Sequence, residues 1–123
     1  FGLPLKALNR VDSYLFTLCF FDFDNDTKKK LIDVWHALMA FYLLTDDMDD
    51  IKDDAIAKED NSILDAGLSL QGVTTIEALM HQCYIIMNEI KPVCANRIDY
   101  SWQQIDVKSI IEEYLKAEGR SIN

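Results

Sequence analysis

Aspartates are concentrated near the middle of the chain, where six of them fall within the nine positions 46–54. Residues 46–50 fit the pattern DDxxD, and residues 49–53 fit it again. Carboxylates four residues apart on a helix lie one above the other and can share a Mg²⁺ ion. Because Mg²⁺ keeps several waters and favours phosphate oxygens as its other ligands, such a site suits a diphosphate. The predicted metal ligands are Asp46, Asp49, Asp50 and Asp53.

The aspartates follow an apolar segment, KLIDVWHALMAFYLLT, and together they predict one long helix from Lys30 to Ile56. At about 100° per residue from Leu31, several large apolar residues fall on one stripe, which we predict to face the core. The residues of that stripe are Val34, Trp35, Leu38, Met39 and Tyr42.

The same count places the aspartates relative to this stripe, provided that the helix continues past Thr45. Asp50 lies at its edge, and Asp47 and Asp54 point away. Three aspartates extend the stripe itself, namely Asp46, Asp49 and Asp53. Ionised carboxylates on a core-facing stripe need a cation, a water-filled cleft or a proton, because burying an isolated charge is costly. The pattern therefore indicates a cation site.

A bend in the chain is a second interpretation of the same residues. Thr45 or Asp46 would then be the N-cap of another helix, with aspartates in its first turn. Unpaired N–H groups and the helix dipole favour carboxylates there, and the acidic run would be a solvated surface. The first interpretation predicts a helix continuous through Asp54 that opens onto a cleft. The second predicts a bend near Thr45 and aspartates turned to solvent.

The segment AFYLLTDDMDDIKDD resembles the aspartate-rich helix of the class I isoprenoid synthases, the trans-prenyltransferase and terpene synthase superfamily. In that family such a motif binds Mg²⁺, which holds the substrate diphosphate. The resemblance implies that metal and diphosphate make a good leaving group while an apolar pocket shelters a carbocation. It implies that Trp35, Met39 and Tyr42 line this pocket, and that Lys52 or Lys58 contacts the diphosphate.

The chain departs from the family pattern in its length and in its number of metal motifs. Family members that act alone are much longer and carry two motifs on facing helices, whereas this chain has one acidic cluster and no NSE-type motif. A shortened relative, one part of a larger assembly and a coincidence of composition all fit. A homodimer would bring two motifs face to face. Catalysis is left open, and without a pocket Trp35, Met39 and Tyr42 are core residues.

Two further hypotheses concern binding without catalysis. In one, a helical bundle uses its acidic patch to steer a basic protein partner. In the other, the segment DFDNDTKKKLID forms an EF-hand-like calcium loop, although Thr27 stands where that loop needs glycine. Its ligands at positions one, three, five and twelve would be Asp22, Asp24, Asp26 and Asp33. A turn between helices, with Asp24 or Asp26 as an N-cap, explains the same residues.

Periodic apolar residues predict further helices at about residues 5–21, 62–70, 74–92 and 106–119. We expect Asn61 or Ser62 to cap the second of these, Gly72 to follow its end, and Asp106 to cap the last. The third carries a stripe of Ile76, Leu79, Met80, Cys83, Met87 and Ile90. With the central helix, these segments predict a single all-α domain of residues 1–123, a bundle of about five helices.

Composition and charge exclude several classes of function. A net charge of −9 argues against a nucleic-acid partner, because such proteins cluster Lys and Arg. The apolar runs are too short to span a membrane, and no signal peptide is visible, so we expect a cytoplasmic protein. Three cysteines without a CxxC spacing, Cys19, Cys83 and Cys94, predict free thiols in a reducing compartment.

Overall fold

The computed structural model describes residues 22–88 and 105–123, and within these ranges the chain forms five helices and no strand. The helices are α1 (Asn25–Asp49), α2 (Ile51–Ala57), α3 (Ser62–Ala66), α4 (Leu70–Asn88) and α5 (Val107–Ala117). The predicted all-α fold class is confirmed. The helix predicted at residues 5–21 lies outside the described residues. None of the helices in the described ranges is long and apolar enough to cross a membrane.

Helix α1 begins earlier than predicted and continues without interruption past Thr45. Asp24 is its N-cap, and the Asp24 Oδ1 accepts a hydrogen bond from the Thr27 N–H at 2.7 Å. The Thr45 hydroxyl donates to the Tyr42 carbonyl at 2.8 Å, as a threonine inside a helix can. The alternative in which Thr45 or Asp46 caps a new helix is therefore wrong.

The acidic helix is interrupted at Asp50, so the prediction of one helix from Lys30 to Ile56 is also corrected. Asp50 has φ −101° and ψ 8°, outside helical values, and it separates α1 from α2. The Asp50 N–H still donates to the Asp46 carbonyl at 3.1 Å, and the Asp54 N–H to the Asp50 carbonyl at 2.9 Å. These bonds keep the four-residue spacing of a helix, so α2 continues close to the register of α1.

The core lies between α1 and α4, which make more contacts than any other pair of helices in the described ranges. The predicted core stripe of α1 is wrong by about a third of a turn. Trp35 and Met39 are half-buried and Tyr42 is 51% exposed. The buried apolar residues of α1 are Val34, Ala37, Ala40, Phe41, Leu44 and Met48. This side was missed because α1 is apolar almost all round, and small alanines let a neighbouring helix approach closely.

Helix α4 starts four residues before the predicted position 74, at Leu70. Ser69 accounts for this start, because its hydroxyl accepts a hydrogen bond from the Gly72 N–H at 3.1 Å. Gly72 therefore lies inside α4, not after the end of α3, which stops at Ala66. The predicted stripe of α4 is confirmed within the described residues. Its buried members are Ile76, Leu79, Met80, Cys83 and Met87.

Helix α5 closes one side of the core through Val107, Ile111 and Leu115, all of which are buried. Its predicted N-cap is confirmed, because the Asp106 Oδ1 accepts from the Ser109 N–H at 3.0 Å. After α5 the chain returns to α4, where the Leu70 N–H donates to the Asn123 carbonyl at 2.8 Å.

Candidate functional site

The predicted metal ligands lie on the side of α1 and α2 that faces away from the core. At about 100° per residue, they are centred roughly opposite the buried side of α1 that carries Ala40 and Leu44. Burial agrees with this count, because Asp46, Asp49 and Asp53 are exposed and Asp50 is half-buried. The interruption at Asp50 divides the set between two helices. We refer to these four aspartates as the acidic face.

Negative charge is concentrated around Asp50. The pKa of its carboxyl is raised, first because neighbouring atoms remove part of its hydration, and then because four other carboxylates repel its charge. Those carboxylates belong to Asp46, Asp54, Asp53 and Asp49. A bound cation would relieve this repulsion, and so would a proton on Asp50.

The acidic face has suitable ligand chemistry for Mg²⁺ but is not assembled into a closed site. Carboxylate oxygens are the ligands that Mg²⁺ prefers. Within residues 22–88 and 105–123, however, no three acidic, histidine or cysteine side chains stand close enough together to hold a metal ion. Exposed carboxylates repel one another and can change rotamer, so we expect them to converge when an ion is present.

Asp47, which the sequence placed away from the core, is instead the buried aspartate of this region, with 8% of its surface exposed. Its Oδ2 accepts a hydrogen bond from the Ser62 N–H at 2.7 Å. Burial nevertheless raises the pKa of the Asp47 carboxyl, with repulsion from Asp54 and Asp46 adding to the effect. Asp47 therefore joins α1 to the start of α3 and is not available on the acidic face.

Asn61 completes this connection and was predicted as a cap alone. The Asn61 Oδ1 caps α3 by accepting from the N–H groups of Ile63 and Leu64, at 2.9 Å and 3.2 Å. Its Nδ2 donates to the Asp47 carbonyl at 2.7 Å and to the Asp54 Oδ2 at 2.9 Å. The sequence signals the cap, because asparagine before a short apolar helix is favoured there. It carries no local signal for the bonds to α1 and α2.

The residues predicted to line an apolar pocket lie on the same side of α1 as the acidic face. Tyr42 is exposed and packs edge-on against Phe41, with ring centroids 6.2 Å apart. Trp35 and Met39 are half-buried one and two turns earlier. The structure thus places an apolar and aromatic strip directly before the aspartates, outside the core of the described residues.

Lys52 is exposed and lies on a different side of the helix pair, towards α5. Together with Asp49 it lines a groove of about 360 Å³ between the α1–α2 junction and α5. The other residues of this groove are Met48, Ile51, Ile110, Glu113, Tyr114 and Ala117. Lys58, the alternative diphosphate contact, follows α2 in a left-handed conformation with φ 56°.

The calcium-loop interpretation is wrong, because most of the proposed loop is helical. Asp22 and Asp24 precede α1, whereas Asp26 and Asp33 lie within it. Seven residues of helix separate the last two by about 10 Å, too far to share one ion. The competing prediction of a helix start capped by Asp24 explains the segment.

Comparisons of the chain with protein-family models, curated proteins and solved structures find no match. The resemblance to the isoprenoid synthases therefore depends on the residues of the acidic segment alone.

Proposed function

We propose that this chain binds Mg²⁺ through Asp46, Asp49, Asp50 and Asp53 and, through the metal, the diphosphate group of a prenyl-type ligand. The ligands come from the DDxxD pattern and its resemblance to the isoprenoid synthases. The support from the structure is their position on a side of the molecule that solvent reaches.

One observation carries the proposal above the others. The acidic face and the strip formed by Trp35, Met39 and Tyr42 share one side of α1, and the core of the described residues occupies the opposite side. A ligand with a charged head and an apolar tail matches this order of carboxylates followed by apolar side chains. The tail would lie along the strip while its head group is held at the aspartates.

The bound metal would supply charge neutralisation for the diphosphate. The chain itself would supply the carboxylates that hold the ion, and Tyr42 and Met39 would exclude water from the apolar part of the ligand. Whether a bond is broken there depends on a second surface opposite the acidic face. A homodimer or a larger assembly would provide one, and we propose that such an assembly forms in the cytoplasm.

Calorimetric titration of Mg²⁺ followed by inorganic diphosphate tests this function. We expect Asp49→Asn/Asp53→Asn to lose diphosphate binding, because neutral amides are poor Mg²⁺ ligands. Asp22→Asn/Asp33→Asn removes the same charge from exposed positions away from the acidic face and serves as the control. Equal affinities of the two double variants would contradict the proposal.

An acidic docking surface for a basic protein segment is the second candidate function. It is favoured by the groove beside α5, where apolar Met48 and Ile51 adjoin acidic Asp49 and Glu113. Binding of a basic partner would weaken steeply with salt and would need no metal. The same calorimetry separates the two candidates, since this surface would not bind diphosphate.

A further inference from the structure

We propose that Asn61 is a positioning residue, which fixes the aspartates of α2 relative to those of α1. The inference depends on the proposed metal site and adds a residue that does not touch the ion. Asn61 is 2% exposed and lies after α2, outside the acidic run.

The side-chain amide of Asn61 uses all of its hydrogen-bonding capacity. Both Nδ2 hydrogens are donated, one to the Asp47 carbonyl and one to the Asp54 Oδ2. The Oδ1 accepts from two backbone N–H groups of α3. A buried amide with four partners in three helices cannot rotate without losing several bonds, so it is a rigid link.

The two acceptors of this link flank the interruption at Asp50. Asp47 stands next to Asp46 on α1, and Asp54 stands next to Asp53 on α2. The amide therefore holds the neighbours of proposed ligands on both sides of the break. Without it, the bent residue Asp50 would be free to change the angle between the helices and separate the carboxylates.

A charge-matched pair of variants at Asp54 isolates the link. Asp54→Asn and Asp54→Ala both remove one negative charge, but only the asparagine keeps an oxygen that can accept from Asn61. We measure binding of Mn²⁺, which favours the same oxygen ligands as Mg²⁺, by electron paramagnetic resonance. Partners of metal ligands typically contribute about 10–100-fold in affinity, so we expect Asp54→Ala to bind about tenfold more weakly than Asp54→Asn.

A second pair separates positioning from stability. Asn61→Ser keeps an acceptor for the α3 cap but is too short to donate to α1 and α2. Asp106→Ala removes a cap from α5, far along the chain from the acidic face, as a control for a general loss of stability. We expect weaker Mn²⁺ binding in Asn61→Ser and unchanged binding in Asp106→Ala. The Asp54 pair decides the question if Asn61→Ser does not fold.

Equal Mn²⁺ affinity within the Asp54 pair, or wild-type affinity in a folded Asn61→Ser, overturns the role of Asn61 while leaving the metal site in place. Failure of the wild type itself to bind Mn²⁺ overturns the proposed function, and the inference with it.

Discussion

The aspartates of the acidic segment differ in what each side chain contacts. Asp47 accepts from the Ser62 N–H in the core, and Asp54 accepts from Asn61, whereas Asp46 is exposed. Residue type and spacing predicted the cluster and its candidate ligands. They did not predict the role of Asp47, because its partners stand fourteen and fifteen positions further along the chain.

Substitutions of Asp47 should separate its hydrogen bond from its charge. Asp47→Asn keeps an acceptor for Ser62 and removes a charge that burial disfavours, so its free energy of unfolding at neutral pH should equal or exceed that of the wild type. Asp47→Ala leaves a buried N–H without a partner and should lose about 1–3 kcal/mol. Urea unfolding monitored by circular dichroism measures both. An alanine variant as stable as the asparagine variant would exclude this role.

Helix ends were better predicted than helix faces. Asp24, Asn61 and Asp106 were among the predicted N-caps and are confirmed, because a cap depends on one side chain and the N–H groups two or three residues later. The core side of α1 was not, since large apolar residues lie on most sides of that helix. Buried Ala37 and Ala40 decide which side α4 covers, and alanine gives a weak periodic signal.

The cap of α5 should make stability depend on pH in the acidic range. Hydrogen bonds from Ser109 lower the pKa of Asp106 in the folded protein below its unfolded value of about 3.9. The stabilisation is therefore present above that value and is lost as the pH falls through the folded pKa. Asn caps without titrating, so Asp106→Asn should lose less thermal stability than the wild type between about pH 5 and pH 2. Parallel losses would contradict the assignment.

Gly72 should reverse the usual effect of alanine in a helix. A Cβ added there would lie 1.8 Å from the Gly67 carbonyl oxygen, so the backbone must move. We expect Gly72→Ala to destabilise by about 1–3 kcal/mol, as overpacked sites do, although alanine normally stabilises a helix by about 1 kcal/mol. Thr74→Ala, at an exposed position of the same helix, is the control for thermal unfolding. A stabilised Gly72→Ala would show that α3 and α4 do not approach so closely.

At the scale of the whole molecule, the all-α class followed from helical periodicity and from few glycines and prolines. The arrangement of the site did not follow, because it depends on which side of α1 the core leaves uncovered. The predicted ligands and the predicted apolar wall lie on one side, as expected, but that side faces away from the core of the described residues. Lys52 lies towards α5, because the register of α2 turns it away from Tyr42.

Titration of inorganic diphosphate into the wild-type protein, with and without Mg²⁺, tests the central claim most directly. The account predicts heat of binding with Mg²⁺ and none when the metal is removed with a chelator, because the acidic face repels a bare diphosphate. Binding that does not depend on the metal, or no binding in either condition, would contradict a Mg²⁺-dependent diphosphate site.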